Sequence, residues 1–204
     1  MRTTPIVFAV LIFTAKLLCA QPVKKGEFIF EFSRFLHVHC ASITENANKE
    51  LICTWFGGKY EKTPDTSIFV SRKINGVWTL PKEIANATEL SEKRLAAWNP
   101  ILWKYNNDII ISYKIGDSPR TWTGFYKISK DQGKTWGEPN AYPEGFLGTV
   151  KNKPFVTKSG RIIAPSSTEF HSSFGWFPHF EISDDGKTWR KTAPKKSLTQ
   201  CIQP

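Results

Sequence analysis

The stretch Ser129-Lys-Asp-Gln-Gly-Lys-Thr-Trp136 is nearly repeated as Ile182-Ser-Asp-Asp-Gly-Lys-Thr-Trp189. Aligned without a gap, the copies match Asp131 with Asp184, Gly133 with Gly186, and Trp136 with Trp189, 53 residues apart. A repeat of roughly 40–50 residues built from four short strands is typical of a β-propeller blade. The repeat therefore predicts an all-β propeller.

Each copy has the composition of a tight connection between two strands. The Asp side chain can accept hydrogen bonds from backbone N–H groups of the turn, the Gly can take a positive φ without a Cβ clash, and the Trp can cover the turn. A weaker third copy, Ser71-Arg-Lys-Ile-Asn-Gly-Val-Trp78, keeps Gly76 and Trp78 but lacks the Asp. These residues are predicted to stabilise the fold rather than to react, with Gly133 and Gly186 at positive φ.

Residues 1–20 have the layout of a secretory signal peptide: Arg2, a short apolar run from Ile6 to Phe13, and a small residue at Ala20. No later segment is apolar enough for a membrane helix, so the expectation is a secreted protein without an integral membrane segment. Asn86-Ala87-Thr88 is then an N-glycosylation acceptor on a surface loop.

The chain carries a formal net charge of +10, and its basic residues are dispersed between aromatic strands. Such a distribution argues against nucleic-acid binding. It fits either a basic pocket for an acidic sugar or a solvated positive surface. Because no metal-ligand spacing, phosphate loop or Ser-His-Asp pattern is found, neither a cofactor nor a metal is predicted.

Removal of the signal peptide would leave Cys40, Cys53 and Cys201, an odd number. Cys40 and Cys53 flank a predicted hairpin turn at residues 45–48, which allows either a disulfide across adjacent strands or two free thiols. Cys201 has no evident partner within the chain.

Beyond the boxes, residues 37–204 resemble the bacterial sialidase-like group of proteins with BNR repeats, whose boxes are called Asp boxes. The resemblance rests on an ordered set of short motifs: His39-Cys-Ala-Ser42, Trp55-Phe-Gly-Gly58, Pro64-Asp65, Trp98-Asn-Pro100, Tyr113-Lys-Ile-Gly116, Ser118-Pro-Arg120, Gly148-Thr-Val-Lys-Asn-Lys-Pro154, Pro165-Ser-Ser-Thr-Glu169, His179-Phe-Glu181 and Ile202-Gln-Pro204. Members usually have Cys-His-Ala-Ser where this chain has His39-Cys40. In an unchanged register this exchange moves His39 to the opposite strand face.

The resemblance implies a six-bladed sialidase-like propeller, whereas residues 21–204 suffice for only three to four blades. We therefore expect a partial domain that needs further C-terminal blades or another chain to close it. Because such a domain exposes a sheet edge, the isolated 21–204 chain is expected to be poorly stable.

The resemblance also implies catalytic roles. In sialidases an Asp in the loop before the first box is the general acid/base, a Tyr polarised by a Glu is the nucleophile, and three Arg residues bind the substrate carboxylate. Asp65 matches the acid/base by position, although it can equally cap the entry to the next strand. The sialidase arginine motif is absent around Arg34, and the nucleophile is expected beyond Pro204.

Several further residues are predicted to contact the substrate. Arg120 is the candidate clamp for a carboxylate or sulfate, with Lys114, Lys151 and Lys153 as supporting cations. Glu169 and His179 are additional catalytic candidates, although a strand histidine on an inner face is more often a packing residue. The remaining candidates for sugar contacts are His39, Trp55, Asn99 and Asn152.

Three functions fit these residues. The first is a secreted sialidase-like glycoside hydrolase for acidic glycans, incomplete and inactive as this fragment. The second is a lectin-like binding propeller without catalysis. The third, a lyase acting on uronic-acid polymers, has less support.

Overall fold

Within the residues that the computed structural model describes, 26–89, 94–169 and 175–193, the chain forms three antiparallel sheets. The predicted signal peptide, Cys201 and residues 202–204 lie outside these ranges. Sheet I contains β1 (His37–Glu45), β2 (Leu51–Gly58), β3 (Ser67–Ile74), β4 (Val77–Trp78) and β5 (Lys82–Ala85); sheet II contains β6 (Ala96–Tyr105), β7 (Asp108–Gly116), β8 (Thr123–Ser129) and β9 (Asn140–Ala141); sheet III contains β10 (Phe155–Val156), β11 (Ile162–Glu169), β12 (Trp176–Ser183) and β13 (Trp189–Lys191).

The strand order in space follows the order along the chain. Each sheet is a run of neighbouring antiparallel strands, β1-β2-β3-β4, β6-β7-β8-β9 and β10-β11-β12-β13, with β5 also paired to β3. This is the up-and-down arrangement of a propeller blade, which confirms the predicted all-β fold. A 3-10 turn at Ala87–Glu89 follows β5.

Alternating apolar side chains pack the sheets face to face. Between sheets I and II lie Ile52, Ile68, Val70, Leu102, Ile109, Ile111 and Tyr113. Between sheets II and III lie Ile101, Trp103, Ile110 and Ile162. These two cores hold the blades side by side through burial of apolar surface.

The outer face of sheet I is covered by the chain that precedes it. Phe30 and Phe35 pack on Trp55 and Phe69, with the Phe30 and Trp55 ring centroids 5.4 Å apart. Trp55 is only 3% exposed. The β-strand alternation turns Trp55 into this core, where it also lines a cavity beside His39, and contact of its ring with a sugar stays a prediction.

Antiparallel order divides the connections between two ends of the molecule. The connections between second and third strands lie at one end, which we call the loop face. They comprise residues 59–66 and 117–122, and in sheet III this end is marked by Glu169, the last residue of β11. The connections between third and fourth strands, which contain Gly76, Gly133 and Gly186, lie at the opposite end, which we call the box face. Among the described residues, no helix is long and apolar enough to cross a membrane.

The three copies of the box occupy the same turn in three successive sheets. Gly76, Gly133 and Gly186 have φ values of 84°, 86° and 74°, in the left-handed region, as predicted for Gly133 and Gly186. In sheet I the Asp is replaced by a two-residue hairpin, since Asn75 also has a positive φ and Ile74 pairs with Val77. The repeat in the sequence is thus a repeat of blades.

The carboxylate of the second full box is Asp185, and the prediction of Asp184 is wrong. Asp131 Oδ1 accepts the Thr135 N–H at 2.9 Å, and Asp185 Oδ1 accepts the Thr188 N–H at 2.7 Å. Asp184 instead accepts a hydrogen bond from Arg161. The reason is a deletion: Gln132 separates Asp131 from Gly133, whereas Asp185 directly precedes Gly186.

The box carboxylates are held in the ionised form. Partial burial raises the pKa of Asp131, but hydrogen bonds from the Thr135 hydroxyl and amide, the Ser129 hydroxyl and the Lys134 amide outweigh it and lower the pKa well below its ordinary value. Backbone hydrogen bonds from Thr188 and Lys187 do the same for Asp185. A lowered carboxyl pKa stabilises the fold above the ordinary pKa of Asp, and this stabilisation is lost on acidification.

We expect Asp185→Ala to lower the melting temperature and Asp184→Ala to leave it within about 2 °C of the parent, as is usual for a surface substitution. Loss of Asp185 leaves the turn amides of Lys187 and Thr188 without their acceptor. Thermal melts of both variants at neutral pH measure the difference. Equal melting temperatures would contradict the assignment of Asp185 to the box.

Gly133→Ala is expected to destabilise the protein more than Gly186→Ala. Both positions require a positive φ, which costs an alanine about 1 kcal/mol or more. At Gly133 a Cβ would also lie 2.4 Å from Ile52 Cδ1, whereas at Gly186 the nearest atom, Ile162 Cδ1, is 3.9 Å away. Urea unfolding of the two matched variants tests the ranking, which a larger effect at Gly186 would reverse.

The two described cysteines are free thiols. Cys53 lies in the outer core of sheet I with Trp55 and Phe69, whereas Cys40 packs toward the core between sheets I and II. Cys53 pairs with Ile43 in the β1–β2 ladder rather than with Cys40, which lies at a β-bulge. The sequence allowed either a Cys40–Cys53 disulfide or two free thiols, and the structure contains the two free thiols.

Asn86 follows β5 and is half-buried. Its Nδ2 donates to Glu83 Oε1 at 2.7 Å, and its Oδ1 accepts the Thr88 N–H at 2.8 Å. Glycosylation at this asparagine stays a prediction.

Candidate functional site

Three of the charged candidate residues lie at the loop face. Asp65 lies in the β2–β3 connection, Arg120 in the β7–β8 connection, and Glu169 is the last residue of β11. Because these are equivalent places in three successive blades, all three residues lie at one end of the molecule. Arg120 and Glu169 border one cavity, and Asp65 borders another.

Asp65 is bound within its own loop. Its Oδ2 accepts the Lys59 N–H at 2.8 Å. Hydrogen bonds from the Thr63 hydroxyl and then from the Lys59 amide lower the pKa of this carboxyl. A general acid requires the opposite shift, so the geometry favours the alternative in which Asp65 caps the loop.

Asp65 nevertheless borders a cleft that contains an arginine. This cleft, of about 340 Å³, is lined by Asp65, Arg34, Lys59 and Glu83. The Arg34 guanidinium carbon lies 5.3 Å from the centroid of the Phe69 ring, and its Nη2 donates to the Pro81 carbonyl at 3.3 Å. The sequence did not predict a binding role for Arg34, because the sialidase arginine motif is missing around it.

Arg120 borders a second cleft, between sheets II and III. This Arg120 cleft has a volume of about 260 Å³ and is lined by Trp122, Leu147, Ser167, Glu169 and Lys191 in addition to Arg120. It brings together a guanidinium, an ammonium and a carboxylate. Lys191 was not predicted. It stands two residues after the second box, in a short stretch of sequence without a motif for binding or catalysis.

Beneath this cleft lies a buried carboxylate, Glu181. Its oxygens accept the N–H groups of Leu147 at 3.0 Å and Gly148 at 2.7 Å, and the Ser166 hydroxyl at 3.2 Å. The ammonium of Lys191 is 3.7 Å from Glu181 Oε1. Glu181 therefore fixes the chain that enters sheet III.

His179 belongs to the same buried network. Its Nε2 is 3.3 Å from Glu181 Oε1 and its Nδ1 is 3.3 Å from the Phe177 carbonyl oxygen. The side chain has no exposed surface. The prediction of a catalytic His179 is wrong, because strand alternation places it in the interior as a packing residue with partners on both nitrogens.

Lys114 and Asn99 hold the other side of the same segment. The Lys114 ammonium, fully buried, donates to the Thr149 carbonyl, and Asn99 Nδ2 donates to the Val150 carbonyl at 3.2 Å. Burial lowers the pKa of Lys114 to about 7, against the opposing effect of Glu181. The prediction that Lys114 and Asn99 contact substrate is thus wrong; both position residues 149–150.

That segment carries the exposed residues Lys151, Asn152 and Lys153 toward sheet I. Lys151 Nζ lies 3.0 Å from Cys40 Sγ, and Lys153 Nζ donates to the Ile43 carbonyl. Burial and then the nearby Lys104 charge lower the pKa of Lys153. The Asn152 carbonyl accepts the Thr149 hydroxyl. Lys151 and Lys153 therefore link sheet III to the innermost strand of sheet I.

The exchange of His39 and Cys40 coincides with a β-bulge. The register of β1 against β2 shifts between His39 and Ser42, and Cys40 has a φ of 53°. Asn99 occupies the corresponding bulge in β6 with a φ of 41°. His39 is exposed, and its ring packs edge-on against Phe56 with the centroids 5.6 Å apart. The bulge, rather than a simple alternation, decides which way each side chain projects.

No group of three or more His, Cys, Asp or Glu side chains within the described part of the chain is arranged to hold a metal ion. The charged side chains that line the two clefts can recognise a ligand by charge and hydrogen bonds, and the carboxylates of Asp65 and Glu169 lie in different clefts.

Residues 49–204 match the family model described as BNR repeat-like domain. No curated protein matches the chain significantly. Among solved structures, a Hadza microbial sialidase matches with a TM-score of 0.65 and 14% identity over 77% of this chain and 37% of that one. NanB sialidase from Streptococcus pneumoniae matches with a TM-score of 0.62 and 10% identity over 87% and 47%.

The α-L-arabinofuranosidase Arb93A from Fusarium graminearum matches with a TM-score of 0.55 and 15% identity over 79% of this chain and 50% of that one. At these identities the likeness shows the propeller fold alone. The chain spans half or less of the length of these three enzymes.

Proposed function

Because the chain belongs to the BNR repeat-like domain family, we propose that it is part of a glycosidase-like propeller that binds an acidic glycan in the Arg120 cleft. The observation that carries the proposal is the meeting of Arg120, Lys191 and Glu169 in one open cavity. Solved sialidases and an arabinofuranosidase share the fold, which supports a glycan as the ligand.

The cleft has the groups that recognition of an acidic sugar requires. A planar guanidinium can bind a carboxylate or sulfate through two parallel hydrogen bonds, and an ammonium adds a second positive charge. Glu169 can accept hydrogen bonds from sugar hydroxyl groups. Their place at the loop face leaves the ligand open to solvent, as a glycan chain requires.

Hydrolysis is the second candidate, and this chain alone is expected not to perform it. A retaining glycosidase needs two carboxyl groups roughly 5–5.5 Å apart on opposite sides of the scissile bond. Asp65 and Glu169 line different clefts, and the pKa of Asp65 is lowered rather than raised. Binding without turnover is therefore the function that the geometry supports best.

Arg120→Ala is expected to weaken binding of 3′-sialyllactose to the 21–204 chain about tenfold or more, as measured by calorimetry. Loss of a charge-assisted hydrogen bond costs about 1.5–3 kcal/mol, which corresponds to this factor. Lys158→Ala, in the exposed connection between β10 and β11 at the box face, is the matched control and should bind normally. Equal affinities for both variants would overturn the proposal, as would binding of lactose as strong as that of sialyllactose.

A fluorogenic sialoside tests turnover. We expect no release of the fluorophore by the 21–204 chain. Turnover that Asp65→Asn abolishes would show that Asp65 is a catalytic acid/base after all and that one part of the propeller suffices.

The proposal includes further blades that complete the propeller. Sheet III exposes Phe155 (66%) on its edge strand β10 and Phe180 (46%) on β12, which a neighbouring blade would cover. The isolated 21–204 chain should therefore be less stable than a closed propeller and should associate through this edge in solution. A monodisperse monomer in size-exclusion chromatography would contradict this expectation.

A further inference from the structure

At the box face, Gln132 joins the box of sheet II to the first turn of sheet I, beside a hydrogen bond from Lys104 Nζ to the Glu45 carbonyl. Gln132, in the box of sheet II, accepts the Ala47 N–H at its Oε1 at 2.8 Å, and its carbonyl accepts Asn46 Nδ2 at 3.0 Å. Its Nε2 donates to the Asn107 carbonyl at 2.9 Å. Gln132 thus hydrogen-bonds the box of sheet II to the β1–β2 turn of sheet I.

The corresponding seam between sheets II and III lacks this residue. Asp185 is directly followed by Gly186, so no side chain takes the place of Gln132. No hydrogen bond among the described residues joins the connection 184–188 to the turn 106–107. A cavity of about 240 Å³ lies there instead, with Asn106, Asp108 and Lys187 at its polar rim.

The walls of this cavity are aromatic. Tyr105, Tyr126 and Trp189 are half-buried and line it together with the buried Trp103 and Tyr142. The Tyr142 and Trp189 rings meet edge-on with centroids 5.3 Å apart, and those of Tyr126 and Tyr142 are 5.0 Å apart. Flat apolar faces beside hydrogen-bonding groups suit a ligand with both C–H and O–H surfaces.

We propose that this seam is a second binding site, which takes a neutral monosaccharide unit. The C–H face of a pyranose ring packs on the half-exposed rings, and its hydroxyl groups bond to the amide of Asn106, the carboxylate of Asp108 and the ammonium of Lys187. The ligand supplies the contacts that Gln132 makes in the neighbouring seam. The rim carries both signs of charge, which favours a neutral ligand over an acidic one.

This site is independent of the Arg120 cleft, because it lies at the box face whereas Arg120 lies at the loop face. A glycan bound at one end leaves the other end free. The chain would then hold two sugars of different chemistry, one acidic and one neutral.

The test is a titration of the 21–204 chain with methyl glycosides of glucose, galactose and mannose, followed by NMR and calorimetry. At least one is expected to bind saturably. Tyr105→Ser should weaken it about tenfold through loss of a stacking face. Insertion of a glutamine between Asp185 and Gly186 reproduces the Asp131-Gln132-Gly133 spacing of the box in sheet II. The inserted side chain should fill the cavity between sheets II and III and abolish binding.

The controls separate this site from the proposed function. Arg120→Ala should leave methyl glycoside binding unchanged while it weakens sialyllactose binding. No saturable binding of any methyl glycoside, or binding that persists in the folded insertion variant, would overturn the proposal. If the insertion variant does not fold, Tyr105→Ser decides alone. Binding of an apolar aromatic probe without any sugar would overturn the assignment to a carbohydrate.

Discussion

Glu181→Ala is expected to lower the free energy of unfolding by about 3–5 kcal/mol, the usual effect of removing one partner from a buried charged network. Its carboxylate accepts the Leu147 and Gly148 N–H groups, and it contacts Ser166 and His179. Alanine leaves these buried groups without their acceptor and opens a cavity. For a chain of this size we expect a fall in melting temperature of about 10 °C.

Two variants control this measurement. Glu181→Gln keeps the shape and one oxygen acceptor, so its effect should be less than half that of alanine. Glu138→Ala removes the same side chain from an exposed position after the box of sheet II and should change the unfolding free energy by about 0.5 kcal/mol or less. Urea unfolding in which Glu181→Ala and Glu138→Ala behave alike would show that Glu181 does not hold sheet III in place.

Between pH 7 and 9 the stability of the protein is expected to rise by about 2 kcal/mol because of Lys114. Burial lowers the pKa of Lys114 from 10.5 to about 7. In this interval the unfolded chain binds a proton at Lys114 that the folded chain has released, and stability increases with pH wherever the unfolded state binds more protons. Below pH 7 the side chain is protonated in both states and its contribution is constant.

Lys114→Met provides the comparison, since it fills similar volume without a titrating group. The parent should gain stability over Lys114→Met as the pH rises from 7 to 9. The gain is expected to end near pH 9, because burial raises the pKa of Cys53 from 9.0 to about 11, and the proton that the folded chain retains there offsets the effect of Lys114. Parallel stability curves for the two proteins would mean that Lys114 stays charged in the folded state.

The turns could be predicted from sequence because their composition is dictated locally. Gly133 and Gly186 occupy turn positions with a positive φ, which favour a residue without Cβ, so their spacing predicted the repeat of blades. The Asp of the second box was misplaced for an equally local reason. A gapless alignment cannot show that the turn is one residue shorter, and only the hydrogen bonds to Lys187 and Thr188 identify Asp185.

The site was harder to predict, because the type of a side chain does not show whether that side chain is exposed or buried in the fold. Lys114, Asn99 and His179 have side chains suited to a substrate, but the ladders of β7, β6 and β12 turn them inward, where they bond to backbone or to Glu181. Arg120 and Glu169 lie at the loop face. Lys191 joins them only through the packing of sheet III against sheet II, a contact that no local pattern encodes.

The strand order within each sheet has a consequence for the time course of folding. Since neighbours in space are neighbours in the chain, each sheet can form from a contiguous segment through local contacts, which favours rapid assembly. The contacts of Lys151 with Cys40 and of Lys153 with Ile43 span 111 and 110 residues and join the segment before sheet III to β1. During refolding, or during synthesis from the N-terminus, sheets I and II can therefore assemble before the two lysines reach sheet I.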